Sequence, residues 1–223
     1  MHEAALAELE SLADPARGAQ MRAYHKADRT YLGLSNEDIN RLSTAWRRAM
    51  DTETRVAVAD GLWRTDIHEA RVAAAKLLTQ ARIRDDAPVW TLIRSWVPQF
   101  DAWAIADHAC KAGEKRLVAD TDRLDVVESW TGSDHLWMKR AVLVITLPWT
   151  KQNFPSPDDL AIRDRVLGWA AGYVEDRRWF IQKAIAWWLR ELSKHDPERA
   201  TRFLHAHGAE LKPFALREAR KYL

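Results

Sequence analysis

The segment Trp179–Leu192, WFIQKAIAWWLREL, constrains the fold more than any other stretch of the chain. Read as a helix, it places Phe180, Ile181, Ala184, Ile185, Trp188 and Leu192 at three- and four-residue steps, a broad apolar stripe that a core must cover. Lys183, Trp187 and Arg190 keep the same spacing on a different face. Two readings of that second face stay open. Trp187 packs beneath a neighbouring helix while the cations reach water along their stems, or the three form a cationic, aromatic groove for a polyanion.

The same periodicity runs through the chain, and no strand-length alternation or Asn-Gly or Asp-Gly hairpin signal interrupts it. Ser35-Asn-Glu-Asp38 resembles a capping box opening a helix to about Met50, and Asp51 and Thr52 cap a second through about Trp63. Asp66 opens a long helix, DIHEARVAAAKLLTQAR. Further helices are expected over about 87–96, 100–111, 121–130, 134–147, 157–173, 176–194, 197–207 and 213–222. Gly113, Gly132 and Gly208 are expected between helices as left-handed stops.

The helices echo one another. Aligning Arg140-Ala141 with Lys183-Ala184 brings Trp137 and Met138 over Phe180 and Ile181, and Val72-Ala73 and Glu218-Ala219 fit the same register. Ala73, Ala141, Ala184 and Ala219 stand 68, 43 and 35 residues apart, the first interval read as two units. Repeats of about 35–45 residues with two or three helices each predict an all-α, HEAT-like helical repeat superhelix over 1–223, one domain with a concave groove. The loop-like Pro148–Pro157, PWTKQNFPSP, is read as a connection between repeats.

Several function classes are disfavoured. No apolar run reaches the length of a membrane span, about 18 residues, and the N-terminal MHEAALAELESLADPARG lacks the basic and apolar regions of a secretion signal. The single cysteine, Cys110, forms no intrachain disulfide, which predicts a cytoplasmic protein. The eight histidines contain no HExxH, and the chain has no Walker loop, GxGxxG or GxSxG, so neither a metal nor another cofactor is expected. With 34 basic and 32 acidic residues the net charge is only +2, so any nucleic-acid binding must come from segregated charge. Twelve tryptophans are more than a small helical domain needs for its core.

Trp103 and Asp107, in FDAWAIADHACKAG, are four apart and share a helix face. A carboxylate beside an indole face suits stabilisation of a sugar cation formed when a glycosidic bond breaks, with the carboxylate orienting a water. The spacing is equally that of a structural pair in which Asp107 caps a helix or forms an ion pair.

The chain resembles the AlkD-type DNA alkylation repair glycosylases. The resemblance runs from about Met21 to Leu223 and is carried by Met21-Arg-Ala-Tyr24 with Tyr31-Leu-Gly33, by Trp103-Ala-Ile-Ala-Asp107, by Trp137-Met-Lys-Arg140-Ala, by Phe180-Ile-Gln-Lys183-Ala-Ile-Ala-Trp187-Trp-Leu-Arg190-Glu, and by Arg217-Glu-Ala219. It implies a cofactor-free enzyme that excises cationic N3- and N7-alkylated purines from double-stranded DNA by hydrolysis of the N-glycosidic bond, without a tight base-flipping pocket. By the same resemblance Asp107 stabilises the oxocarbenium ion, and Trp103 and Trp187 pack against the sugar-phosphate backbone at the lesion. Tyr24 approaches the DNA, Arg140 and Arg190 contact phosphate, and Lys183 is a further DNA-binding residue. A monomer associated with a bacterial nucleoid, and not with a membrane, is expected. The alternatives are a non-catalytic HEAT-repeat protein that binds distorted or branched DNA and a helical-repeat protein scaffold. Where family members carry a more basic helix start, this chain has Ser35-Asn-Glu-Asp-Ile-Asn-Arg41.

Overall fold

A computed structural model describes all residues, Met1–Leu223. The chain folds as thirteen α-helices with three short 3-10 turns and no strand; its one β-bridge joins Thr30 and Ile67. None of the helices is long and apolar enough to cross a membrane. The chain divides into two compact units, Met1–Ala119 and Asp120–Leu223, and Pro148–Pro157 lies inside the second.

The first unit holds α1 (His2–Glu10), α2 (Pro15–His25), α3 (Asn36–Ala49), α4 (Thr52–Arg64), α5 (His68–Leu78), α6 (Ala87–Trp96) and α7 (Trp103–Ala119). Its centre is α5, buried at every residue except Lys76 and packed against α3, α4 and α7. The run of small residues Ala73, Ala74 and Ala75 makes this possible, because neighbouring backbones approach closely where side chains end at Cβ. Helix starts follow local chemistry: Ser35 Oγ accepts from Asp38 N at 3.0 Å, and Asp51 Oδ1 accepts from Thr54 N at 2.8 Å. The periodicity does not identify α1 or α2, although α2 has a clear start: Asp14 caps Arg17 N at 3.0 Å and Pro15 takes the first turn.

Two expected boundaries move for tertiary reasons. Asp66 sits at φ 57°, a left-handed backbone, so α5 begins at His68. It ends at Leu78 rather than Arg82 because arginines from other helices take the carbonyls beyond. Arg47 Nη1 donates to Thr79 O at 2.6 Å, and Arg116 Nη2 donates to Gln80 O and, at 3.0 Å, to Ala81 O. In the other direction α7 runs through Gly113 to Ala119, because Gly113 is buried in the helix interior rather than ending it. Gly208 also has a right-handed backbone, so neither is the left-handed stop expected. Gly33 is the glycine that needs its freedom: at φ 87°, a Cβ there would lie 2.1 Å from Asp14 O.

The second unit holds α8 (Leu124–Glu128), α9 (Leu136–Ile145), α10 (Pro157–Ala171), α11 (Trp179–Ser193), α12 (Pro197–His207) and α13 (Pro213–Ala219). Here α11 is central and packs on α9, α12 and α13. Its expected apolar stripe is buried at Ile181, Ala184, Ile185, Trp188 and Leu192, with Phe180 half-buried. Ser156 and Asp159 complete a reciprocal capping box at the start of α10. The repeat register is visible in burial: Ala73, Ala141, Ala184 and Ala219 are all buried helix-contact residues. The tryptophan excess also resolves. Eight of the twelve are buried; Trp103, Trp137, Trp179 and Trp187 are not.

Candidate functional site

In the first unit Trp103 opens α7 and Asp107 follows one turn later; both are half-buried. Tyr24, at 70% exposure, meets the Trp103 ring edge-on at 6.2 Å between centroids. Beneath them lies a cluster of imidazoles and rings. His25 is 5.5 Å from Trp103, 4.6 Å from His68 and 5.9 Å from Tyr31, and His68 stacks on Tyr31 at 4.9 Å.

A buried guanidinium holds this arrangement. Arg29, whose side chain is almost wholly enclosed, donates to Asp101 just before α7 and lies 3.4 Å from Asp66. Arg71 pairs with the same Asp66 at 3.1 Å. Arg29 therefore ties the segment after α2 to the start of the helix that carries Trp103. The buried Glu69 carboxylate accepts from Leu32 N and Gly33 N at 2.9 and 2.7 Å, fixing the Tyr31-Leu-Gly33 turn.

The environment favours neutral imidazoles. Burial first, then neighbouring His25, Arg29 and His108, push His68 down to about 3. Burial, with Lys76 assisting, lowers His108 to about 4. His25 is lowered by burial, with Glu69 opposing the shift. Burial raises the Tyr31 hydroxyl above its ordinary value.

In the second unit the unpartnered face expected of α11 is only partly open. Lys183 is exposed, with Nζ 4.6 Å above the Trp179 ring, and Trp187 and Arg190 are half-buried. Trp179 stacks on Phe214 at 5.8 Å, beside a cavity of about 360 Å³ also lined by Ala186, Arg217 and Glu218. Arg190 bonds to Glu191 at 2.9 Å and to Glu218; burial lowers it, but these carboxylates outweigh that and raise it above its ordinary value. Arg140 departs most from the expectation of an open phosphate ligand. It is 3% exposed, its Nη1 donates to Phe180 O at 3.1 Å, and its guanidinium lies 5.8 Å from the Phe180 ring centre. Sequence spacing could not separate this buried arginine from exposed Lys183, its counterpart in the repeat.

The model of the family described as DNA alkylation repair enzyme matches residues 5–223. The chain belongs to that family. Members of the DNA alkylation repair family act on DNA, so DNA is this chain's partner and alkylation repair its role. A predicted DNA alkylation repair enzyme from Enterococcus faecalis has the same fold: TM-score 0.79 and 23% identity over 95% of this chain and 96% of that one. AlkD2 from Streptococcus mutans aligns with TM-score 0.65 and 17% identity over 94% and 98% of the two chains. Smu.31 from Streptococcus mutans UA159 gives TM-score 0.65 and 19% identity over 84% and 92%. A search of curated proteins finds no match.

For this member of the repair family, Tyr24, Trp103 and Asp107 fall in the first unit, and Arg140, Lys183, Trp187 and Arg190 in the second. Tyr24 and Trp103 are brought into contact by packing alone. The residues that motif reading missed are His25, His68 and Arg29; His25 and Arg29 stand beside Tyr24 and Tyr31 in the sequence, whereas His68 comes from a distant helix with no such signal. No group of three or more His, Cys, Asp or Glu side chains is arranged to hold a metal ion.

Proposed function

We propose that the protein is an alkylpurine DNA glycosylase that hydrolyses the N-glycosidic bond of cationic N3- and N7-alkylated purines in duplex DNA. The observation that carries the reading is the half-open Trp103 face, where Tyr24 meets the indole edge-on and Asp107 follows one turn along the same helix. Family membership supports alkylated DNA as the substrate.

The chemistry follows from the leaving group. An alkylated purine already carries positive charge, so bond cleavage delivers the electron pair to the base nitrogen and releases a neutral base. Positive charge then develops on the sugar. The Asp107 carboxylate opposes that charge, and the Trp103 indole excludes bulk water and raises the value of the interaction. A water oriented by Asp107 adds to the anomeric carbon and gives up its proton, leaving an abasic site.

Trp187 packs against the sugar-phosphate backbone, and Lys183 supplies an open cation for phosphate. Arg190 contributes less, because two carboxylates already share its donors. Arg140 serves by holding Phe180 and the start of α11. The enzyme works as a monomer in the cytoplasm, at the nucleoid.

Incubation with duplex DNA containing N7-methylguanine should release free base. Duplex binding without release would replace this reading with a non-catalytic binder of distorted or branched DNA. Absence of both would leave a protein scaffold.

A further inference from the structure

We propose that His25 is a positioning residue for the Trp103 face, and that its neutral imidazole is the wedge that seats Trp103 and Tyr24 against α5. This rests on the reading of Trp103 and Asp107 as the reacting face. His25 is the last residue of α2 and directly follows Tyr24; Lys26, at φ 58°, then turns the chain away. The ring contacts four others at once: Tyr24 edge-on at 5.0 Å, Trp103 at 5.5 Å, Tyr31 stacked at 5.9 Å and His68 at 4.6 Å. His25 thus joins Tyr24 and Trp103 to the α5 floor at His68.

The wedge is held by packing. His25 Nδ1 is buried with no hydrogen-bond partner, and so is His68 Nδ1 against which it lies. A neutral imidazole tolerates this better than a charged one, since a buried cation without a partner is costly.

Burial opposes a charge on His25, whereas the nearest carboxylate, Glu69, favours one. Arg29 is buried in the segment after α2 and Arg22 lies over the Tyr31 ring. On α5, His68 faces the ring, and the attractive Glu69 carboxylate is already engaged by Leu32 N and Gly33 N. On α7 the ring meets Trp103, His108 acts on His68, and Asp101 just before the helix is held by Arg29. The balance keeps His25 below the ordinary histidine value, with burial as the larger influence and Glu69 opposing it. The imidazole is thus neutral near pH 7, and protonation in mild acid drives it from beneath Trp103.

The test uses the full chain labelled with 5-fluorotryptophan, with the Trp103 fluorine resonance assigned through Trp103→Phe. That resonance should shift with the same midpoint as the His25 imidazole, below pH 6.5. In His25→Phe, or in His25→Gln should the first variant fold poorly, the Trp103 transition should vanish. Single-turnover excision by these variants should fall roughly 3- to 10-fold at neutral pH, the scale of a slightly misplaced group, and the gap to wild type should narrow as pH falls through the His25 midpoint. A Trp103 resonance that ignores the His25 titration, or that shifts identically in the variants, overturns the proposal. Because the fluorine readout needs no DNA, a wild-type protein that releases no base would refute the glycosylase reading while leaving the positioning result standing.

Discussion

The Trp103 face of the first unit and the α11 face of the second share an ingredient list, a tryptophan near arginine, yet use it differently. Around Trp103 the cation, Arg29, is underneath. It is enclosed and joined to Asp101 and Asp66, so what the face presents is aromatic rings and the Asp107 carboxylate rather than a cation. Around Trp187 a lysine stays on the surface, while the arginines are turned inward to Phe180 O or shared with Glu191 and Glu218. The first arrangement suits a reacting centre, where a carboxylate acts strongly with water held away. The second suits backbone contact, where exposed charge meets phosphate through solvent.

The strongest way to break this division is Asp107→Asn, which keeps the side-chain shape and removes its charge. Excision of N7-methylguanine should slow by at least ~10²-fold, about 2.7 kcal/mol, with duplex affinity steady or slightly higher. Single-turnover rates and melting curves on one preparation decide. A folded variant with near-normal excision removes Asp107 from the mechanism.

Arg140→Ala sharpens the comparison from the other side. If Arg140 is a structural donor, its loss should lower stability by about 2 kcal/mol, the scale of a charged hydrogen bond left unmade, and leave the salt dependence of DNA binding unchanged. Unchanged denaturant midpoint with a shallower salt slope would return it to the DNA surface.

Acid should separate the two units. His68 and His108 have folded values of about 3 and 4, well below the unfolded 6.5, so the unfolded chain takes up protons first. Stability from these groups is intact above about pH 6.5 and declines as pH falls toward the folded values. At pH 4.5 the His68 contribution alone costs about 3 kcal/mol. In the second unit Asp176 and Glu191 are held below the usual carboxylate range: Asp176 chiefly by Arg178 and then Lys139, Glu191 by Lys194 and Arg190 against its burial. Their contribution persists until pH drops below about 4. Amide exchange at pH 5, corrected for intrinsic rates, should show α5 losing protection before α11. Simultaneous loss would deny the distinction.

The smallest expected effect lies within α11. Lys183→Ala should weaken duplex binding and reduce the magnitude of the salt slope by about 1, whereas Arg190→Ala should change the slope less. Fluorescence anisotropy across a salt series measures both, and a larger slope change for Arg190 would mean that Glu191 and Glu218 release it on binding.

Sequence alone was enough for the helical class, most helix starts and the family. These depend on contacts within a few residues: the spacing of the stripe from Ile181 to Leu192, the reach of Ser156 to Asp159, and a motif readable in line from Phe180 to Glu191. Tertiary structure decided where α5 ends, which of Arg140 and Lys183 sees solvent, and that His25 and His68 lie against Tyr31 and Trp103. Each of those outcomes turns on desolvation and pairing between groups far apart in the chain. Arg29 meets Asp101 72 positions later, and Arg140 meets Phe180 40 positions later. Helical periodicity reports which residues share a face, but the charge state and exposure of that face are set by whatever distant segment packs over it.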